Sequence, residues 1–256
     1  MSLDWMIQII QSNWPMFLRG AGWTLVIALT GTIIGSLIGL LAGVVRTIPA
    51  PEKGIKKNLL KLINAILTIY IEFFRGTPMI VQAMVIFYGS ALAFNFHMNP
   101  IIAGIVVVGI NTGAYMAEIV RGGIISVDKG QYEAAQAIGM NHVQTMIHVV
   151  MPQVIRNILP ATGNQFIINI KDTAVLSVIS VTELFFQTKT VAGNNFRYFE
   201  SFFVACIIYF IMTFAITLIL RYFERKLEGP DNYTVIGNNL HVETAEDMKK
   251  KANKGM

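Results

Sequence analysis

The residues best placed to do chemistry are three charges in stretches otherwise nearly free of charge: Arg75, Lys171 and Asp172. A charge at membrane depth is expensive, so each needs a partner or a task. Arg75 lies about 14 residues, or about 21 Å of helix, beyond Lys61, past the middle of a ~30 Å hydrocarbon layer. Gly76-Thr77-Pro78 follows it, a pattern that predicts a broken or kinked helix. Unwound backbone at that depth is tolerated where it lines a cavity. The structural alternative is a plain kink with Arg75 paired to Glu72. Lys171 and Asp172 are adjacent and point about 100° apart on a helix, so each needs a partner elsewhere. Asp172 facing Arg75 across a cavity would suit a zwitterion, its carboxylate on the Arg75 fork and its ammonium on Asp172. A direct Arg75–Asp172 salt bridge is the alternative, and the two are compatible if a ligand displaces the internal partner. Thr77, Gln82 and Asn164 are the neutral groups available to read a side chain, which favours a polar uncharged ligand over a cationic one.

The elements that must hold these residues are membrane helices. Of 256 residues, 54% are hydrophobic and only 14% charged; mean hydropathy is +0.56. So few charges exclude a disordered chain and an ordinary cytosolic enzyme. Cys206 stands alone, which excludes a disulfide-stapled module and a Cys-based metal site. His142 and His148 share no helical face and have no completing carboxylate, so no metal site is predicted. The net charge of +5 reads as membrane topology rather than nucleic-acid binding.

Uncharged runs predict five helices over about 20–45, 60–94, 100–120, 158–181 and 200–221, an all-α integral membrane fold. Arg46, Lys53, Lys56, Lys57 and Lys61 fall in the first loop. Arg121, Lys129 and Arg156 fall in the third, and Arg221, Arg225, Lys226, Lys249, Lys250, Lys251 and Lys254 in the tail. The opposite side has Arg19, Lys189 and Arg197. The positive-inside rule then places the N-terminus outside and the C-terminus in the cytoplasm. Residues 1–19, with Trp5, Ile9, Trp14 and Phe17, read as an interfacial anchor, 20–226 as the membrane domain, and 227–256 as a mobile cytoplasmic tail. Gly31, Gly35, Gly39 and Gly43 form a small-residue face of the kind that packs helices closely. Asn111, Tyr115 and Glu118 share one face of the third span, where Glu118 and Arg121 are expected to form an interfacial ion pair.

The cytoplasmic connection, about 122–152, is unusual for a linker. Residues 131–138 are good helix formers ended by Gly139, suited to a left-handed cap. Asn141-His-Val-Gln144 resembles a capping box opening a second short helix that stops at Pro152. Such a projection fits a groove on another protein or lies as an amphipathic loop on the membrane surface. The chain has no glycine-rich phosphate loop ending in Lys-Ser/Thr, so no nucleotide site is expected in it.

Glu133-Ala-Ala-Gln-Ala-Ile-Gly139, followed after nine residues by Val149-Val-Met-Pro152, resembles the EAA loop of ABC importer permeases, with Val and Met in place of the family's Ile and Leu. The resemblance extends through Phe74-Arg-Gly-Thr-Pro78, Asn111-Thr-Gly-Ala-Tyr-Met-Ala-Glu118, Arg121-Gly-Gly123, Lys129-Gly-Gln131, Gly163-Asn-Gln-Phe166, Lys171-Asp-Thr173 and Val178-Ile-Ser-Val-Thr-Glu183. Over residues 15–225 the chain is similar to the polar amino acid permeases of the histidine, glutamine and arginine branch. That resemblance implies a type I importer membrane subunit, paired with a second, identical or related permease. Two separate ATPase subunits would bind the ATP and Mg, and an external binding protein would deliver a polar amino acid. Glu133, Ala134, Ala135 and Gly139 would then form the coupling helix, and Arg75, Gly76, Thr77, Pro78, Gln82, Asn164, Lys171 and Asp172 the substrate site. The rivals are a membrane-embedded enzyme using Lys171, Asp172 and Glu118 as acids and bases, and a channel.

Overall fold

The computed structural model describes residues 3–51 and 53–228, with side chains through Lys226. The tail reading for 227–256 falls almost wholly outside the described residues. By contact the chain divides into Met1–Leu220, a compact helical unit, and Arg221–Met256, of which the described part ends helix α9.

Nine α-helices carry the described residues: α1 Leu3–Val45, α2 Ile55–Gly76, α3 Met79–Phe94, α4 Pro100–Ile125, α5 Lys129–Ala137, α6 His142–Thr145, α7 Met151–Asp172, α8 Leu184–Asn195 and α9 Tyr198–Glu228. A π turn, Met146–Val150, joins α6 to α7, and a 3-10 stretch, Thr173–Ile179, follows α7. Among the described residues there is no strand.

Among the described residues, three helices are long and apolar enough to cross a bilayer: Leu3–Val45, Pro100–Ile125 and Tyr198–Lys226. The pair α2–α3, bent by 113°, makes a fourth when counted as one span. The predicted fifth, 158–181, is not among them. Lys171, Asp172 and two prolines dilute α7, and the last third of the predicted span winds as the 3-10 stretch. The predicted break between residues 19 and 20 is also absent, since α1 runs unbroken through Pro15. Its first turns are held by their own packing, with Met6, Ile9 and Phe17 buried against Leu184, Val191 and Val204.

The scaffold is the seam between α1 and α4. A Cβ added at Gly31, Gly35, Gly39 or Gly43 would meet Val108, Thr112, Met116 or Val120 within 3 Å. Four contacts advancing by one turn on both helices make the pair parallel, with backbones closer than any larger side chain permits. The expected packing role of this face is what the structure shows. Parallel α1 and α4 also require the segment between them to recross, so α2–α3 as a whole carries the chain from the Val45 side back to Pro100. The main core fills in around this seam with Ile27, Val107, Val108, Leu176 and Ile179. A polar knot crosses it: Asn169 Nδ2 donates to Thr32 Oγ1 at 2.8 Å and Thr112 Oγ1 at 2.9 Å, tying α7 to α1 and α4.

Glu183, which sequence reasoning placed only in a motif, is fully buried and caps α8. Its carboxylate accepts from Phe185 N at 2.8 Å, Phe186 N at 2.7 Å and the Tyr209 hydroxyl at 3.0 Å, joining α8 to α9. Thr24 of α1 accepts from Leu184 N at 3.2 Å, beside the close approach of Gly20 to the same backbone.

Candidate functional site: a broken helix and a projecting loop

The predicted break is real and sharp. α2 ends at Gly76, Thr77 and Pro78 are extended, and α3 begins at Met79. Breaking a helix leaves carbonyls without partners, and in a membrane protein these must be satisfied internally. Gln82 does this from the first turn of α3. Its Nε2 donates to Phe74 O, Thr77 O and Thr77 Oγ1, each at 2.9 Å, and its Oε1 accepts from Asn111 Nδ2 at 2.9 Å. Asn111 also donates to Phe74 O at 3.1 Å, and Thr77 Oγ1 donates to Phe73 O at 2.8 Å.

Gln82 was expected to read a ligand side chain. It is 4% exposed and every polar atom is committed, so the structure makes it a brace for the elbow instead. Thr77 is similarly engaged. Asn164, the third expected reader, is exposed on α7, on the face away from the buried Gln165 and Asn169. Its amide is free to meet something outside this chain.

Arg75 projects from the elbow. It forms no ion pair with Glu72 or Asp172; its guanidinium carbon lies 5.6 Å from the ring centroid of Tyr115. Asp172 and Lys171 are likewise exposed at the end of α7 and make no ion pair. Both purely structural alternatives, the Glu72 pair and the Arg75–Asp172 bridge, are therefore absent. Among the described residues, none of Arg75, Lys171, Asp172 and Asn164 forms a salt bridge or a side-chain hydrogen bond. Gly76, next to Arg75 in the chain, faces open space, since a Cβ there would touch nothing within 4 Å.

The shared face of α4 has three separate tasks. Asn111 braces the elbow and Tyr115 takes the Arg75 guanidinium. Glu118 pairs with Arg121, Oε2 to Nη2 at 3.1 Å, as expected. Its other oxygen takes Arg46, a partner that sequence reasoning missed because it is remote in the chain. The signal was available, since Arg46 follows Gly43 by one turn on the face that packs on α4. At the other end of the elbow, the Tyr70 hydroxyl donates to Ile110 O at 2.6 Å, over the gap left by Gly113.

The loop is built largely as expected. Asp128 caps α5 through Gly130 N, and Gly139 adopts φ +83. Met140 N donates to Ala135 O and Gly139 N to Gln136 O, the paired bonds of a Schellman cap. Asn141 and Gln144 form the reciprocal capping box. The second short helix does not stop at Pro152, however. It passes through the π turn directly into α7, with Met151 N bonded to Met146 O. The wider turn moves a carbonyl away from the Pro152 ring, which would otherwise clash with it. Glu133, Ala134 and Gly139 are exposed, whereas Ala135 is buried by its own chain. Ile138 at 79%, Val143 and Ile147 form an exposed apolar crest beside them.

The family model for the binding-protein-dependent transport system inner membrane component matches residues 57–229. The chain is 38% identical over 229 residues to the glutamine transport system permease protein of Escherichia coli (strain K12), covering 89% of this chain and 99% of that one. It is 33% identical over 219 residues to the L-cystine permease protein of Bacillus subtilis (strain 168), covering 85% and 89%, and 31% over 231 residues to the arginine permease protein of the same organism, covering 90% and 100%. Among solved structures, an amino acid ABC transporter crystallised with histidines matches with a TM-score of 0.77 at 37% identity, over 88% of this chain and all of that one. A methionine ABC transporter in an inward-facing conformation, at 20% identity and a TM-score of 0.68, shares the fold. The chain belongs to the family of inner-membrane permease components of binding-protein-dependent transport systems, and it is a transport subunit rather than an enzyme.

Proposed function

We propose that this chain forms half of the path of an ATP-driven importer of polar amino acids. In this reading five crossings place the N-terminus outside and the C-terminus in the cytoplasm. A second permease completes the path, two ATPase subunits dock beneath, and an external protein delivers the solute. The observation that carries the reading is the pair of exposed charges held in no salt bridge, Arg75 at the elbow and Asp172 at the end of α7. Exposed charge in a membrane chain is stable only if it faces water, a ligand or another subunit. A zwitterion supplies a carboxylate for one and an ammonium for the other. The relatives are named for glutamine, arginine and cystine, and a glutamine-like solute suits a site whose free neutral amide is that of Asn164.

The crest of Ile138, Val143 and Ile147 around Glu133 and Gly139 supports the coupling assignment, because a short rigid projection of this kind fits a groove on a partner protein. The test is purification of the tagged chain with its neighbours, followed by reconstitution. ATPase subunits should copurify, and glutamine delivered by the binding protein should stimulate hydrolysis more than arginine does. A chain that purifies alone, or a complex whose hydrolysis ignores every amino acid, overturns the proposal.

A further inference from the structure

Arg75 is the one charged side chain at the elbow whose direction is set by a specific neighbour. The elbow alone does not set it, because an exposed arginine with four rotatable bonds sweeps a wide volume. Two contacts reduce that freedom. Asn111 and Gln82 hold the Phe74 carbonyl, fixing the backbone one residue before Arg75. One turn beyond Asn111 on the same face of α4, the half-exposed Tyr115 presents its ring to the guanidinium at 5.6 Å. A ring face attracts a cation without using its N–H groups, so all five donors stay available to a second partner. A carboxylate in place of the ring would neutralise the arginine and compete with a ligand. An aromatic ring aims it and leaves it charged.

We propose that Tyr115 is a positioning residue for Arg75: its ring holds the guanidinium in the orientation that receives the carboxylate of the transported amino acid. This deepens the function proposed above and rests on Arg75 being the carboxylate site. It does not require Tyr115 to touch the solute.

The test uses the assembled permease–ATPase complex without the binding protein and measures saturable binding of radiolabelled L-glutamine. Copurification with the ATPase serves as the check on folding. A cation–π contact of this kind is worth about 1 kcal/mol, so Tyr115→Leu should weaken binding about fivefold. Tyr115→Phe keeps the ring and should bind within about twofold of the parent. In an Arg75→Ala background, Tyr115→Leu should have no further effect, because its route of action is gone. Equal losses from Tyr115→Leu in both backgrounds, or a Tyr115→Phe loss as large as that of Tyr115→Leu, overturn the positioning role and leave the Arg75 site standing. A parent that binds no glutamine, or an Arg75→Ala complex that binds it as the parent does, removes the Arg75 reading and this inference with it.

Discussion

The α1–α4 seam and the elbow facing it have opposite designs. The seam is set by close packing: four glycines meet four α4 side chains at near-backbone distance, and the arrangement has no room to move. The elbow is polar, broken and partly open, with Arg75 exposed beside Gly76. Its rigidity comes from directed hydrogen bonds rather than close packing, as Gln82 and Asn111 show. Close packing is cheap in a bilayer and excludes everything, so it suits a fixed frame. A broken helix exposes backbone and charge, so it suits a path that a polar solute must cross. The molecule thus separates the part that must not change from the part that must meet something.

The largest expected effect comes from breaking the seam. Gly39→Leu would drive a Cβ into the Met116 Cβ and the α4 backbone, and the two helices would have to separate. Overpacking of that kind costs about 3 kcal/mol, and the variant should fail to accumulate in the membrane or lose its thermal transition. Gly22→Ala on the same helix meets nothing within 4 Å and should be neutral, or stabilising by up to about 1 kcal/mol through helix propensity. Equal behaviour of the two variants in a detergent melting assay would remove the case for a locked seam.

The elbow should respond the other way, with function lost and assembly kept. Arg75→Ala and Asp172→Asn remove exposed groups that make no salt bridge and only weak contacts within the chain, so both variants should insert and copurify normally. Uptake of a polar amino acid should fall at least about tenfold, the equivalent of about 1.4 kcal/mol. Parental uptake with unchanged solute preference in both variants would make these charges bystanders.

These two regions also differ in how readable they were. The glycine spacing announced the seam because helical packing repeats along the sequence. Gly76-Thr77-Pro78, Gly139 and the Asn141–Gln144 box were legible because each acts on backbone within a few residues. Long-range choices were hidden. Nothing local tells Gln82 that the Phe74 carbonyl and Asn111 will surround it, so its amide read as a ligand group. Arg46 and Glu118 meet only because the seam brings them together. The π turn before Pro152 was missed for a related reason. Proline predicts a local preference, and tertiary packing on Met146 and Val150 overrides it.

A smaller effect sharpens the contrast at the projecting loop, where rigidity has a third source. Gly139 has open space around it, so only its left-handed φ resists substitution. Gly139→Val places a β-branched residue there at a cost of about 1–2 kcal/mol. The cap should loosen, and less ATPase should copurify while the membrane core stays intact. Gly139→Asn, tolerated in that conformation, should retain most of the coupling. If the valine variant docks and transports as the parent does, the turn geometry is not what the ATPase reads.

The smallest effect tests whether the loop is fastened to the frame or merely adjacent to it. Tyr132 of α5 donates its hydroxyl to Ile124 O at 3.3 Å, the last turn of α4, and packs beside Val120 and Val150. Burial pushes its hydroxyl above the usual tyrosine value of 10.0, because the phenolate is poorly solvated there. The folded loop therefore holds its proton where a released loop gives it up. The contribution is fully present below pH 10 and is lost as the pH rises through and beyond it, where the released form is favoured. Amide exchange of residues 129–140 should accelerate above about pH 10 more steeply than the rise in intrinsic exchange rate. Tyr132→Phe removes the titrating group and one weak hydrogen bond, so exchange should be slightly faster at neutral pH and the extra alkaline acceleration should vanish. An unchanged alkaline response in Tyr132→Phe would mean that the loop is held by its apolar contacts with Val150 and Met146 alone.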